Sequence, residues 1–276
     1  MHTNNLADSA AIIDSTAAKN DSLPYDLDRR VENNAFKVGE KLSFIVRYGF
    51  IKAGDATMEV EEITSHEGHQ AYRIVSKARS TRTFDWVFKV RDQVESLMDT
   101  RGLFSWQFNK RLREGSYKFD LSVDYNQKWG SAEVNAIRYH DDDDLKIKKQ
   151  ESYNVDIPPY VLDILGSFYY VRTQDLRVGR PIYITNHDNK KTYDLQVLIQ
   201  KKEIIETQAG KFRCIMVQPK LLGEGIFKQK GELWVWLTDD KYKIPVQMKS
   251  AVFVGSITTE LVDIKGVPTP LPSQIK

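Results

Sequence analysis

The sequence predicts an all-β fold, mainly antiparallel: a curled sheet, open barrel or β-spiral wrapped around one central helix at about residues 158–173. Three observations predict it. From Phe36 onward apolar residues recur with period two, as on half-buried strands. Some strands are apolar on both faces, so each face needs cover. One stretch alone carries a helical apolar period, and it is nonpolar nearly all round, as a buried helix is.

Taken in order, Leu42, Phe44, Val46 and Tyr48 alternate, a turn runs from Gly49 to Gly54, and Ala56, Met58 and Val60 resume the pattern, which makes a hairpin. Tyr72, Ile74 and Ser76 alternate with Arg73, Val75 and Lys77. In STRTFDWVFKV, Phe84, Trp86 and Phe88 fall at i, i+2 and i+4, one face of a strand whose plain reading is core. Tyr117 to Tyr125 is the cleanest half-buried strand. Further strands are expected at 131–139, 145–155, 181–186, 192–200, 203–207, 211–218, 226–237, 241–249 and 251–263. Turn chemistry separates them at Glu67–Gly68, Asp99–Gly102, Asn126–Gln127, Asp188–Asn189 and Ala209–Gly210.

In DIPPYVLDILGSFYYVRTQDL, Pro158 and Pro159 suit a helix start, and Val161, Ile164, Leu165, Phe168 and Val171 follow at helical spacing. Gly166 inside a helix costs about 1 kcal/mol against alanine, so close packing is expected there.

Trp234 and Trp236 share one face of GELWVWLTDDKYKIPVQMKS. A two- or four-residue turn pairs Trp236 with Lys243 and Trp234 with Pro245, leaving Leu237, Val235 and Leu233 on a core face opposite Tyr242, Ile244 and Val246. A three-residue loop moves both indoles to the side of Tyr242 and Ile244.

Residues 1–34 are polar and read as a disordered leader, 35–266 as one β-rich domain and 267–276 as a C-terminal tail. No apolar run approaches a membrane span and the first residues lack a secretory pattern, so the chain as given is expected to be soluble; a leader whose signal had been removed would look the same.

Charge nearly cancels, 40 Lys plus Arg against 38 Asp plus Glu among 276 residues, which disfavours a nucleic-acid or polyanion binder. One cysteine, Cys214, excludes an intrachain disulfide and a cysteine-built zinc site, and its place in the run Phe212, Cys214, Met216 reads as a buried small hydrophobe. The five histidines sit in polar, loop-like contexts, so none is a natural partner for a cysteine nucleophile. Asp141 to Asp144 lack the glycine and distal glutamate of a calcium loop and read as a solvated hairpin tip. GEGIFKQKG does not lead a strand into a helix and reads as a turn, not a phosphate cradle. No common catalytic motif occurs, and neither a cofactor nor a metal site is expected.

Arg111, Arg113 and Glu114 lie among Trp106, Phe108 and Leu112, as an exposed strand with a surface ion pair or as a grip on an anionic head group. Glu114, Asp163, Glu224, Glu232, Asp239 and Asp240 are the carboxylates open to a hydrolase reading, which needs two of them opposed across a cleft.

GEKLSFIVRYGFIKAG (39–54), REG (113–115), DILGSFYYVR (163–172) and GELWVWLTDD (231–240) with Ile244 and Pro245, in this order over about 36–265, resemble the bacterial exported family known as domain of unknown function 3108. Gly166 stands where that family is expected to carry a larger residue. The resemblance implies a periplasmic or exported protein with no agreed catalytic residues, and, by likeness to other periplasmic β-rich carriers, an open barrel or spiral that holds acyl chains.

The expected function is non-enzymatic binding of an apolar or amphipathic, lipid-like envelope ligand in a groove between sheet and helix. Its candidate contacts are Trp86, Phe88, Trp106, Tyr169, Trp234 and Trp236 for the apolar part, with Arg111, Arg113 and Glu114 at the polar end. The alternatives are an envelope interaction module docking through Trp234 and Trp236, and a carboxylate-based hydrolase of an envelope polymer.

Overall fold

The computed structural model describes residues 23–141, 144–222, 232–251 and 256–276. Its strands are β1 (Lys41–Tyr48), β2 (Ile51–His66), β3 (His69–Ser80), β4 (Arg91–Asp99), β5 (Ser105–Glu114), β6 (Tyr117–Asn126), β7 (Ser131–Tyr139), β8 (Ile147–Asp156), β9 (Ile182–Asp188), β10 (Lys191–Thr207), β11 (Gly210–Leu222), β12 (Leu233–Thr238), β13 (Pro245–Ala251), β14 (Ser256–Lys265) and the two-residue β15 (Gln274–Ile275). All belong to one antiparallel sheet in the order β8-β7-β6-β5-β4-β3-β2-β1-β14-β13-β12-β11-β10-β9, with β15 added beside β11. Successive strands are neighbours within β1–β8 and within β9–β14, and β1 joins the two runs by pairing with β14.

The sheet curls without closing. Its free edges are β8 and β9, and the β9–β10 hairpin tip reaches the concave face of the other arm. There Tyr125 on β6 meets His187 Nδ1 at 3.3 Å, Tyr153 on β8 donates to the Asn189 carbonyl at 3.0 Å, and Lys110 on β5 approaches Asp188 at 3.3 Å. Side chains, not a ladder, thus bring the two arms together.

Helix α1 (Ile164–Thr173) sits against this concave face, touching β4 and β9, with Leu165, Gly166, Ser167, Tyr169, Val171 and Arg172 buried. It is shorter than 158–173. Pro158 and Pro159 precede it in irregular backbone, Tyr160 has φ of +63°, and Leu162 forms a parallel bridge to Asn186. The helix begins instead after Asp163, whose side chain accepts from the Gly166 N–H at 2.7 Å and from the hydroxyls of Ser96 at 2.6 Å and Ser105 at 2.5 Å. Two strands therefore set where the helix starts. A Cβ on Gly166 would lie 3.0 Å from Ser105 Oγ, the close packing the sequence leads one to expect. At the other end Arg172 forms a fully buried pair with Glu40, at 2.6 and 2.8 Å.

Three further expectations change. Residues 23–34 are not a loose leader: Tyr25 and Val31 donate backbone hydrogen bonds to Lys128 and Arg101, and the Arg29 guanidinium bonds the carbonyls of Gly102 and Leu103. Residues 1–22 lie outside the described residues. The C-terminal segment likewise packs, with Leu271 and Ser273 buried and β15 paired to β11. Strands 192–200 and 203–207 are one strand, β10, whose register shifts between Ile199 and Lys201; the bulge absorbs the break in alternation. Half of the acidic tip and the whole of GEGIFKQKG, Asp142–Asp143 and 223–231, lie outside the described residues.

Candidate functional site

Beyond the helix, further along the same concave face, a cleft of about 580 Å³ opens where β1 ends and β4 begins. Its floor is made by small residues. Across β1, β2 and β3 the rows run from Leu42–Met58–Ser76, in the packed core, through Phe44–Ala56–Ala78 to Val46–Gly54–Ser80. The sheet continues while the side chains that would fill it shrink, which leaves room. A Cβ on Gly54 would stand 2.4 Å from the Arg79 carbonyl, so no larger residue fits where β2 crosses β3. Tyr48, Phe84, Val87, Phe88 and Ile257 form apolar walls, and Val90, Arg79 and Glu114 complete the lining.

The wall at 84–88 is not a strand. Phe84–Trp86 form one 3-10 turn, because the polar residues around it bond locally rather than across a ladder. Thr81 Oγ1 accepts from the Phe84 N–H at 3.2 Å, and the Thr81 N–H reaches the Ala53 carbonyl at 2.8 Å. Asp85 pairs with Arg91 at 2.7 Å and with the Ser80 hydroxyl. Beyond the turn, Gly115 donates to the Lys89 carbonyl at 2.7 Å. Gly115 has φ of +53°, and a Cβ there would come 2.9 Å from the Phe88 ring. Trp86, expected in a core face, is 93 % exposed, and Phe88 is half exposed at the cleft.

Glu114 is the acidic group of the cleft. Burial, then the adjacent Asp92 carboxyl with which it shares a hydrogen bond, push its carboxyl up to about 6. Burial also raises Asp92, which accepts the Arg113 N–H at 2.8 Å. The two carboxyls are contiguous on β4 and β5, not opposed across the cleft as inverting hydrolysis requires.

Of the nine candidate residues, the structure brings only Phe88 and Glu114 together in this cleft. Arg111 and Arg113 lie on the other face of β5 from Glu114. Arg113 is bidentate on Asp120, at 2.7 and 3.0 Å, with its guanidinium over Tyr139, and Arg111 lines a separate polar groove with Gln93 and Asn109. Trp106 is buried, stacked on His69 and donating to Asp99 at 3.2 Å. Tyr169 is buried edge-on to Phe36 in the core beneath the helix.

Trp234 and Trp236 do share a face, but with a longer connection than expected: Trp236 opposes Gln247 and Trp234 opposes Lys249. Asp240 explains the difference, since it accepts from the Tyr242 and Lys243 N–H groups and from the Thr238 hydroxyl, holding 239–244 as an ordered loop. Trp236 is buried and donates to Glu203 at 2.6 Å, so the pair is no exposed docking face. Cys214 is buried, its thiol pushed up to about 12 by burial. His187, expected in a loop, is buried on β9.

Sequence reasoning missed Val46, Tyr48, Phe84, Val87 and Ile257 as cleft residues. The alternation Leu42, Phe44, Val46, Tyr48 contains the signal, since it carries the core face past the point where Gly54 and Ala78 stop filling it.

Residues 43–262 match the family model described as a protein of unknown function (DUF3108). No curated protein sequence matches the chain. Among solved structures, a β-barrel-like protein of domain of unknown function DUF1849 from Brucella abortus superimposes with a TM-score of 0.55 at 10 % identity, over 85 % of this chain and 98 % of that one. The two share a fold. A Bacteroides fragilis protein with a YmcC-like fold, described as exported, reaches a TM-score of 0.36 at 9 % identity over 86 % and 99 % of the two chains. A Parabacteroides distasonis protein described as a lipoprotein reaches 0.33 at 12 % identity over 86 % and 100 %. Both overlay too loosely to bear on this chain.

Proposed function

The chain belongs to the DUF3108 family of proteins of unknown function, and on that footing we propose that it is a non-enzymatic carrier which binds the acyl part of an amphipathic, lipid-like ligand at the open end of its curled sheet, in an exported, periplasmic setting. One observation carries this reading: an apolar cleft of about 580 Å³ on the concave face, a size suited to a ligand of small-molecule dimensions. The cleft lies past the helix instead of between helix and sheet, because Leu165, Tyr169 and Val171 fill the space beside α1.

Tyr48, Phe84, Val87 and Ile257 supply apolar contact along a chain, where each buried methylene contributes about 0.8 kcal/mol. Glu114 is the acidic group of the lining, so an acyl chain would lie along the aromatic walls with its polar end turned toward it.

Displacement of a fluorescent fatty acid by unlabelled lipids tests the proposal. Wild-type protein is expected to take up the probe, and Ala78→Trp, which fills the floor, is expected to lose uptake while keeping its circular dichroism. Failure of wild-type protein to take up the probe, together with the absence of any co-purifying lipid in native mass spectra, would remove the reading.

A further inference from the structure

The mouth of the cleft is bounded by two projecting segments. One is the β1–β2 hairpin tip, where Phe50 is 101 % exposed and Ile51 follows it. The other is the 3-10 turn, where Trp86 and Val87 face solvent. The segments belong to one rim: Tyr48 and Phe84 stand 6.4 Å apart between ring centres, and the Thr81 N–H is tied to the Ala53 carbonyl. Large apolar side chains grouped at an opening, rather than scattered, mark a surface meant to be covered.

Charge indicates what covers it. Arg82 and Lys89 are exposed on the 3-10 side and form no ion pair among the described residues. The nearby acids are already occupied: Asp55 pairs with Lys52, Asp85 with Arg91, and Glu260 with Arg47. Glu114 and Asp92 share a hydrogen bond below the rim. The rim therefore presents indole, phenyl and branched aliphatic groups beside unpaired cations, the combination that settles at the headgroup level of an anionic bilayer.

We propose that the rim formed by Phe50, Ile51, Trp86 and Val87, with Arg82 and Lys89, docks the protein on an anionic membrane surface with the cleft facing the lipid. The proposal rests on the carrier reading above and adds the place of loading. Trp86 and Phe50 enter the interface, the cations lie over phosphate groups, and a lipid tail passes into the cleft between Tyr48 and Val87 without crossing water.

Flotation of the full chain with vesicles tests this. Phosphatidylcholine vesicles containing roughly a quarter phosphatidylglycerol are expected to carry the protein upward, and pure phosphatidylcholine on the order of tenfold less, since each surface cation adds to the attraction for anionic lipid. The double variant Phe50→Ser with Trp86→Ser is expected to bind both vesicle types at least about tenfold more weakly. Arg82→Glu with Lys89→Glu is expected to lose only the advantage of the anionic vesicles. All four side chains are exposed, so unchanged circular dichroism and melting confirm that the variants fold.

Wild-type protein that floats with neither vesicle, or a serine variant that floats as well as wild type, overturns the proposal. So does a concentration-dependent dimer that the serine variant loses, if flotation is absent, because the rim would then belong to a second copy. Fatty-acid uptake measured without vesicles separates the two readings. Uptake without flotation removes docking alone, whereas flotation without uptake removes the carrier reading and leaves docking in place.

Discussion

Arg172, in the last turn of α1, and Glu40, just before β1, form a bidentate ion pair that is entirely closed to water. The remaining guanidinium hydrogens reach the carbonyls of Tyr242 and Ala35, so one side chain ties the helix to β1, to the loop after β12 and to the N-terminal segment. Removing one member strands the other as a buried charge. Arg172→Ala or Glu40→Ala is expected to cost about 3–5 kcal/mol, and the double change less than the sum, read from urea melts.

Asp163 should matter more than an ordinary helix cap. A cap exchanged for alanine typically costs about 1 kcal/mol, but here Ser96 and Ser105 would also lose their acceptor in a closed environment. Asp163→Ala is expected to exceed Asp163→Asn by about 1–3 kcal/mol in denaturant melts, because the amide oxygen of asparagine still accepts.

Glu114 makes stability depend on pH. Its carboxyl is raised to about 6 in the folded chain, so the folded state holds the proton more tightly than the unfolded chain, whose carboxyl titrates near about 4.3. This contribution is complete below the unfolded value and is lost as pH rises toward about 6. Glu114→Gln should therefore raise the melting temperature at pH 7.5 and change it little at pH 4. Equal shifts at both pH values would contradict the assignment.

Cys214 offers a check on the register of β11. Closed from solvent, with its thiol pushed up to about 12, it should resist a thiol reagent in native protein at pH 8 and react once the chain is unfolded. Native reaction at the unfolded rate would place it elsewhere.

Strand content was legible wherever one face is apolar and the other polar, as in Tyr117–Tyr125, which is β6 but for its last residue. Strand β4 escaped because its concave face carries Asp92 and Ser96 between apolar residues; these polar groups serve Glu114 and Asp163, and their roles appear only when the strands are side by side. The helix was visible from its apolar spacing, but its first residue was set by hydroxyls from β4 and β5, distant in sequence, and not by Pro158 and Pro159. The aromatics at 84–88 have the spacing of a strand by coincidence: local bonds from Thr81 and Asp85 decide the turn. The candidate site suffered most, since alternation assigns Arg113 and Glu114 to opposite faces while proximity in sequence had grouped them.

The pairing of β1 with β14 has a bearing on how the chain assembles. Each arm is a meander in which every strand finds the one just made, so each can zip from its own hairpins, whereas Phe44 and Leu261 must meet across most of the polypeptide. That junction is expected to form last and set the folding rate. Substitutions within it, such as Leu261→Ala, should then slow refolding as much as they weaken the native state.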